Sequence, residues 1–340
     1  MLSKTLIIQA LNKCQVPKHI WQEYYGQPTE NYTSITNNTK QTVSSNFFLL
    51  SSNFVDLTDH AIYCTTDSIK LLHSLCTYTN IGSLGYGGCI YFDCYSSIVQ
   101  DRFCAIKCYT PRHGLYSFTD VKSETDKNFV NLGSLYQCGH DNTGTGSIFH
   151  MYGNKTHLST NNTNTRSYRS AGYEFTNEQV NINFCCFISN NNQEADYNCM
   201  LHLSTPNSFV KKSIFKNNSA KDDDNSVYGL IASEGSGSNV TVSECIFLQN
   251  KAKYAFIANK YGVLIVINCF GDDFAATCSE DGNVITDQMK TESFNITLSH
   301  LSLGECNAEN PLSFDQSVCV KKKKVYTAKL KWSKIYRRRG

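Results

Sequence analysis

The chain has 340 residues, and 41% of them are hydrophobic, slightly fewer than in a typical globular domain, which suits a protein built largely of turns and exposed strands. The formal net charge of +2 is unevenly placed: residues 321–340 hold ten Lys/Arg and no acid, which leaves −8 on the remainder. Five prolines and many strand-like runs exclude a disordered chain, and no run of 18 apolar residues exists to form a membrane-spanning helix.

Taken in order, residues 1–16 carry Leu6, Ile7, Ala10, Leu11 and Cys14 as a helical stripe behind a cap at Ser3. The apolar run is too short for a secretory leader, Gln9 interrupts it, and no small-residue cleavage site follows. It predicts a short helical cap over the open end of a repeat array, because terminal strand edges need covering. Residues 17–45 are polar and contain Pro17 and Pro28, which predicts a loose lead-in. Strand turns are expected from residue 47 onward.

The dominant signal is a recurring phrase. Val240, Val242, Cys245, Phe247 and Asn250 have the same offsets as Val180, Ile182, Cys185, Phe187 and Asn190, and as Ser208, Val210, Ser213, Phe215 and Asn218. Val263, Ile265, Asn268, Phe270 and Asp273 are aligned as a further copy, Leu71, His73, Cys76 and Tyr78 as an upstream one, and Ile296, Leu298, Leu301 and Leu303 as a degenerate one. Weak markers fall at Ile106 and near Tyr136. A second ladder runs through Ile62, Ile90, Tyr116, Ile148, Leu201, Leu230 and Phe256, with one double step between Ile148 and Leu201.

Two strand ladders sharing a drifting period of about 28 residues predict a solenoid with several strands per coil. The fold class expected is all-β: a right-handed parallel β-helix of the pectin-lyase-like type, with the helical cap at one end and a basic tail at the other. The alternative is an antiparallel β-sandwich, whose strands also recur at short intervals. The boundaries are 1–45 for cap and lead-in, 46–319 for the solenoid and 320–340 for the tail. About ten coils make a rod roughly 45 Å long at the strand spacing. Residues 153–170 show no apolar ladder and predict an irregular coil or a protruding loop; residues 220–226 predict a turn insertion.

The sixteen cysteines include no CxxC pair. Cys76, Cys185 and Cys245 share the inward slot with Ser213, which favours free buried thiols acting as small filler. Cys89/Cys94 and Cys104/Cys108 are loosely spaced for zinc and lack His partners at ligand spacing. A polysaccharide lyase or hydrolase needs carboxylates held together on one face. Asp222, Asp223, Asp224, Asp272, Asp273, Glu280 and Asp281 sit at unequal offsets from the aromatic marker and form no column. His113, His140, His150 and His157 have no nucleophile at recognisable spacing. No catalytic, cofactor-binding or metal residue is therefore assigned, and no cofactor is expected. Asn-X-Ser/Thr occurs at Asn31, Asn37, Asn154, Asn161, Asn217, Asn239 and Asn295. Lys321, Lys322, Lys323, Lys324, Arg337, Arg338 and Arg339 form a tail suited to acidic partners, whether nucleic acid or anionic lipid.

Phe187-x-x-Asn190, Phe215-x-x-Asn218 and Phe247-x-x-Asn250 resemble the F-x-x-N repeats of chlamydial polymorphic membrane proteins, and Gly87-Gly88-Cys89-Ile90-Tyr91 resembles their G-G-A-I motif with Cys in the Ala slot. The Cys-, Asn- and Tyr-rich style is also similar to large uncharacterised β-helical families of trichomonad-type protists. The resemblance covers roughly residues 47–310. It implies a parallel β-helix, surface display and adhesion. The function expected is non-enzymatic: an adhesin-like protein presenting an elongated face to a protein or glycan, on a cell surface or secreted. A pectin-lyase-like enzyme and a binder acting through the basic tail are the alternatives.

Overall fold

The computed structural model describes residues 20–26, 31–35, 38–140, 144–192, 199–220, 229–272, 277–279 and 281–296. The expected helix within 1–16, the acidic turn at Asp222, Asp223 and Asp224, the degenerate copy at 296–303 beyond Ile296, and the basic tail lie outside these residues.

One coil shows the plan. Tyr173–Thr176 is followed by Val180–Asn183, Cys186–Ile188 and the two-residue strand Asn191–Asn192, and the chain then returns at Leu201–Ser204. Every pairing is parallel, between one coil and the next. The coils stack into a ten-stranded sheet, a seventeen-stranded long sheet that takes two strand segments per coil, and a short three-stranded sheet. The protein is a parallel β-solenoid, as the phrase repeat predicts.

Two left-handed bends shape the long sheet in each coil. The first falls at Leu75, Arg102, Leu132, Ser159, Phe184, Lys212, Glu244 and Asn268; the second at Asn80, Lys107, Gln137, Asn164, Ser189, Asn217 and Gln249, all with φ between 45° and 57°. Such backbone is strained for residues with a Cβ and persists where the surroundings over-determine it. Here the neighbouring coils clamp it on both sides.

Each bend is followed by an inward residue, and in most coils that residue is small and polar. After the first bend, the thiols of Cys76, Cys185, Cys245 and Cys269 and the hydroxyl of Ser213 each donate to the carbonyl two residues earlier, at 2.9–3.5 Å. Cys and Ser alternate in this slot because either is small and brings a second donor to a carbonyl that already accepts a backbone N–H from the preceding coil, as Ser74 does from Ser51 and Asn183 from Ser159. Burial pushes the thiol of Cys76 up to about 12 and that of Cys185 up to about 11, so both are inert filler rather than nucleophiles. The free cysteines among the described residues are all buried, as the slot predicts, while Cys104 on the outer face is disulfide-bonded.

After the second bend stand Cys108, Cys138, Thr165, Asn190, Asn218 and Asn250. Asparagine at the end of the phrase suits a corner, because its short amide can bond its own backbone, but Ser189, Asn217 and Gln249 make the turn here and the asparagines point inward as a ladder. Asn190 Nδ2 donates to Asn218 Oδ1 (3.1 Å) and Asn218 Nδ2 to Asn250 Oδ1 (2.9 Å). Each amide also reaches a carbonyl of the coil below, at Asn162, Phe187 and Phe215. Each oxygen takes a backbone N–H as well. Stacked amides of this kind hold successive coils in one register.

The predicted aromatic ladder is present. Phe187, Phe215 and Phe247 lie in register inside the shaft, with ring centroids 4.7 and 4.8 Å apart and planes 7° from parallel. The next copy is shifted by one residue from the expected alignment. Leu264, Val266 and Cys269 point inward, not Val263, Ile265 and Asn268, and Gly271 rather than Phe270 pairs with Phe247. The run Val263–Ile267 is apolar throughout, so its alternation carries no phase. The upstream markers move likewise, from Ile106 to Ala105 and from Tyr136 to Leu135. In the second ladder Ser117 and Ile231 replace Tyr116 and Leu230, and Tyr173 fills the double step. Gly88 of the motif has no room for a side chain: a Cβ there would lie 2.1 Å from the Leu115 carbonyl oxygen.

Residues 153–170 form neither an irregular coil nor a protruding loop. Asn154–Leu158, Asn161–Thr163 and Arg166–Ser167 pair in register with both neighbours or with the next coil. No apolar ladder shows because the inward slots are polar: Lys155, His157, Thr160, Asn162 and Thr165 are all buried. His157 Nε2 and His150 Nδ1 are 3.2 Å apart, and Gln100 and Ser117 approach His150 Nε2. Asn162 donates to Ser147 and to the Ala171 carbonyl. Burial lowers His73 and His157 to about 3, so the interior histidines are neutral. Lys155 Nζ donates to the carbonyls of Met151 and Thr176, and burial lowers its pKa to about 7. The sequon at Asn161 is buried and pairs in the sheet, whereas Asn217 is exposed.

The lead-in is not loose. Helix α1 (Ile20–Tyr25) lies on the outer face of the long sheet, with Ile20 and Trp21 buried against Phe48, Leu50, Leu72, Leu75 and Val99. Tyr25 donates to the Leu71 carbonyl (2.7 Å) and Tyr24 to Asp101 (3.0 Å). Pairing starts upstream of residue 46, where Tyr32–Thr33 meets Phe48 and Leu49.

Asn218→Ala removes the middle of the amide ladder and leaves polar groups of both neighbouring coils unpaired. It should cost about 2–4 kcal/mol in urea unfolding, with the coil contacts otherwise intact. Lys155 binds its proton more weakly in the folded chain, so its penalty on stability is full below about pH 7 and is lost as the pH rises toward 10.5. Lys155→Met should therefore gain most over the wild type at pH 7 and below, with the difference narrowing by pH 10 in denaturant titrations.

Candidate functional site

Strand pleating turns every second residue of the ten-stranded sheet outward. One outward column reads Tyr63, Tyr91, Phe118, Phe149, Glu174, His202, Ala232 and Ile257, each paired with the next. Its first four rings stack at 5.2, 5.7 and 5.4 Å, within 15° of parallel. Lys40 Nζ lies 4.5 Å from the Tyr63 ring centre and closes the lower end of the stack. A second, shorter row flanks it: Tyr86 stacks on His113 at 5.6 Å, and His113 packs on Phe149 at 4.6 Å.

Where the aromatics stop, the column becomes charged. His202 sits between two carboxylates, with Nε2 2.8 Å from Glu234 and Nδ1 3.4 Å from Glu174. Lys260 pairs with the other oxygen of Glu234. Burial alone would lower the His202 pKa, but the two carboxylates outweigh it and raise it to about 9. Glu234 is held down at about 2, chiefly by its hydrogen bond to His202. Burial opposes ionisation of Glu174, yet the bond to His202 keeps its pKa below the usual value. The imidazolium and both carboxylates are thus charged at neutral pH. Burial lowers the pKa of His113, whose Nδ1 lies 2.5 Å from Thr145 Oγ1.

Two adjoining hollows open beside this column and share His113, Thr145 and Arg169. The larger, 340 Å³, is walled by Tyr86, Arg112, His113 and Tyr168; the smaller, 190 Å³, reaches Glu174, His202 and Glu234. Arg112 lies over the Tyr86 ring at 5.3 Å. The cleft therefore has a cationic, aromatic mouth and an anionic floor, an arrangement for holding a polar ligand. A general acid–base pair needs one protonated and one free group, and His202 keeps both glutamates ionised.

Of the residues weighed from sequence, His113 lines the cleft, His140 lies on another face, and His150 and His157 are interior. Asp272 accepts the Gln249 N–H; Asp273 and Glu280 lie outside the described side chains. Among the described residues no three His, Cys, Asp or Glu groups converge as metal ligands, and no helix is long and apolar enough to cross a membrane. Sequence alone does not mark Tyr86, Arg112 or Glu234 as site residues, whereas His202 and Glu174 are legible as the residues that follow the inward Leu201 and Tyr173.

Comparison with protein-family models, with curated proteins and with solved structures found no match.

His202 gains proton affinity on folding, so its contribution to stability is full below about pH 6.5 and is lost as the pH rises through about 9. His202→Gln should melt below the wild type at pH 6, and the gap should close by pH 10 in paired thermal scans.

Proposed function

We propose that the protein is a non-catalytic, adhesin-like binding module that engages a glycan or protein partner along the outward face of the ten-stranded sheet. The observation that carries this reading is the column of four stacked rings running directly into the Glu174–His202–Glu234 cluster, with the Tyr86–Arg112 cleft alongside. Tyr63 and Tyr91 keep part of their rings at the surface, Phe118 and Phe149 are buried beside the cleft, and the cleft adds donors, acceptors and both signs of charge. The likeness of the F-x-x-N repeats to surface adhesins points the same way.

A second reading, a carbohydrate-active enzyme of the pectin-lyase-like class, draws on a different pair. Asp93 and Asp120 are in register one rung apart on the outer surface, with Lys122 2.7 Å from Asp93. Burial, then the Asp93 charge, raises the Asp120 pKa, so Asp120 holds a proton more readily than a free carboxylate.

A glycan array separates the two. Binding should fall at least tenfold in Arg112→Ala and Tyr86→Ala with thermal stability kept, and no bound glycan should be shortened. Binding indifferent to both substitutions defeats the cleft, and new reducing ends abolished by Asp120→Asn establish the enzyme instead.

A further inference from the structure

The second left-handed bend builds another surface, on the corner between the long and short sheets. Asn80, Lys107, Gln137, Asn164 and Ser189 occupy the bend in five successive coils, and the first four are exposed. Left-handed backbone throws each side chain outward, so the column is a row of polar groups at one-rung intervals of about 4.8 Å. Two residues further along each coil stand Tyr109, Gly139, Arg166 and Asn191. Together with His140 these rows line a depression of 680 Å³, larger than either hollow of the cleft.

The lining is specific in kind. Asn80, Gln137, Asn164 and Asn191 each offer an amide donor and an acceptor. Lys107 and Arg166 are both exposed and stand two rungs apart, roughly 10 Å along the axis. Tyr109 lies flat across the coil below because residue 82 is glycine: a Cβ there would fall 2.2 Å from the ring. The tyrosine ring is thereby held against the wall, 5.4 Å from the His140 ring. None of the described lining residues is acidic. Asp56, one coil below Asn80, accepts that residue's amide at 2.7 Å.

We propose that this trough binds a linear anionic polysaccharide, a uronate- or sulfate-bearing chain, laid along the solenoid axis. A sugar ring in an extended chain advances about as far as one rung, so successive hydroxyls meet successive amides. Anionic groups on alternate sugars meet Lys107 and Arg166. The Tyr109 and His140 rings give a sugar one platform but offer nothing like the run of stacking surfaces that single-stranded nucleic acid uses. The site is separate from the cleft and stands whether or not the cleft binds anything.

The test is titration of the whole chain with heparin, polygalacturonate, dextran and oligo-dT. At least one anionic polysaccharide should bind and dextran should not. The double variant Lys107→Gln/Arg166→Gln should weaken that binding at least tenfold, with the slope of log K against log salt reduced by roughly 1.5. Both sites are exposed, and Gln137 already occupies the Lys107 slot in the next coil, so the melting temperature should hold. Arg112→Ala should leave polysaccharide binding unchanged. Binding of polygalacturonate shows that a carboxylate suffices, and binding of heparin alone shows that sulfate is needed. The proposal is overturned if neither chain binds, if dextran binds as well, if oligo-dT binds as tightly, or if the double variant binds like the wild type.

Discussion

The structure depends on two left-handed bends in every coil. A bend of this sort breaks the strand alternation and turns the next side chain into the shaft, where a polar one needs a partner. A backbone carbonyl provides it: a thiol or hydroxyl bonds one at the first bend, a thiol or amide at the second. Six of the described free cysteines, Cys76, Cys108, Cys138, Cys185, Cys245 and Cys269, stand in these slots, which serine, threonine or asparagine fill in other coils. The amide version does more than satisfy a carbonyl, since each asparagine also bonds the asparagine above it. That bond links coils that share no local sequence.

The shaft is uniform in shape but not in chemistry. Its ends are filled by ring stacks, Phe54 on Tyr78 at one and Phe187, Phe215 and Phe247 at the other. Between them the same slots hold Gln100, His150, Lys155, His157 and Asn162. Buried polar groups of this number are tolerated because most of them bond to each other and to carbonyls of adjacent coils, although the Oε1 of Gln100 and the Nδ1 of His157 find no partner among the described residues. The stability of the middle therefore depends on protonation, while that of the ends depends on packing.

Both binding surfaces follow from one geometric rule. A solenoid repeats a position at every rung, so any outward slot becomes a column along the axis. In the ten-stranded sheet that column is aromatic and then charged. At the second bend it is amide and basic. Helix α1 covers a third surface, the outer face of the first coils, where Phe48, Leu72 and Val99 would otherwise form an apolar patch. The helix lies against the side of the shaft because that is where the outward residues are oily.

The spacing of Val180, Ile182, Cys185, Phe187 and Asn190, copied at Ser208 and Val240, was enough to establish stacked coils, parallel strands and an inward phenylalanine column. A repeat whose members alternate has only one phase that buries them all. Where alternation fails, the phase is not legible. Val263–Ile267 is apolar at every position and allows either phase, and the coil at 153–170 hides its ladder because its inward residues are polar. Sequence could not show that the asparagine next to a bend points inward, since the same residue is well suited to making the bend itself. Nor could it bring Glu174, His202 and Glu234 together, or Lys107 and Arg166. Residues some thirty positions apart become neighbours only when the loops between them have set the length of each coil, and that length varies from one rung to the next.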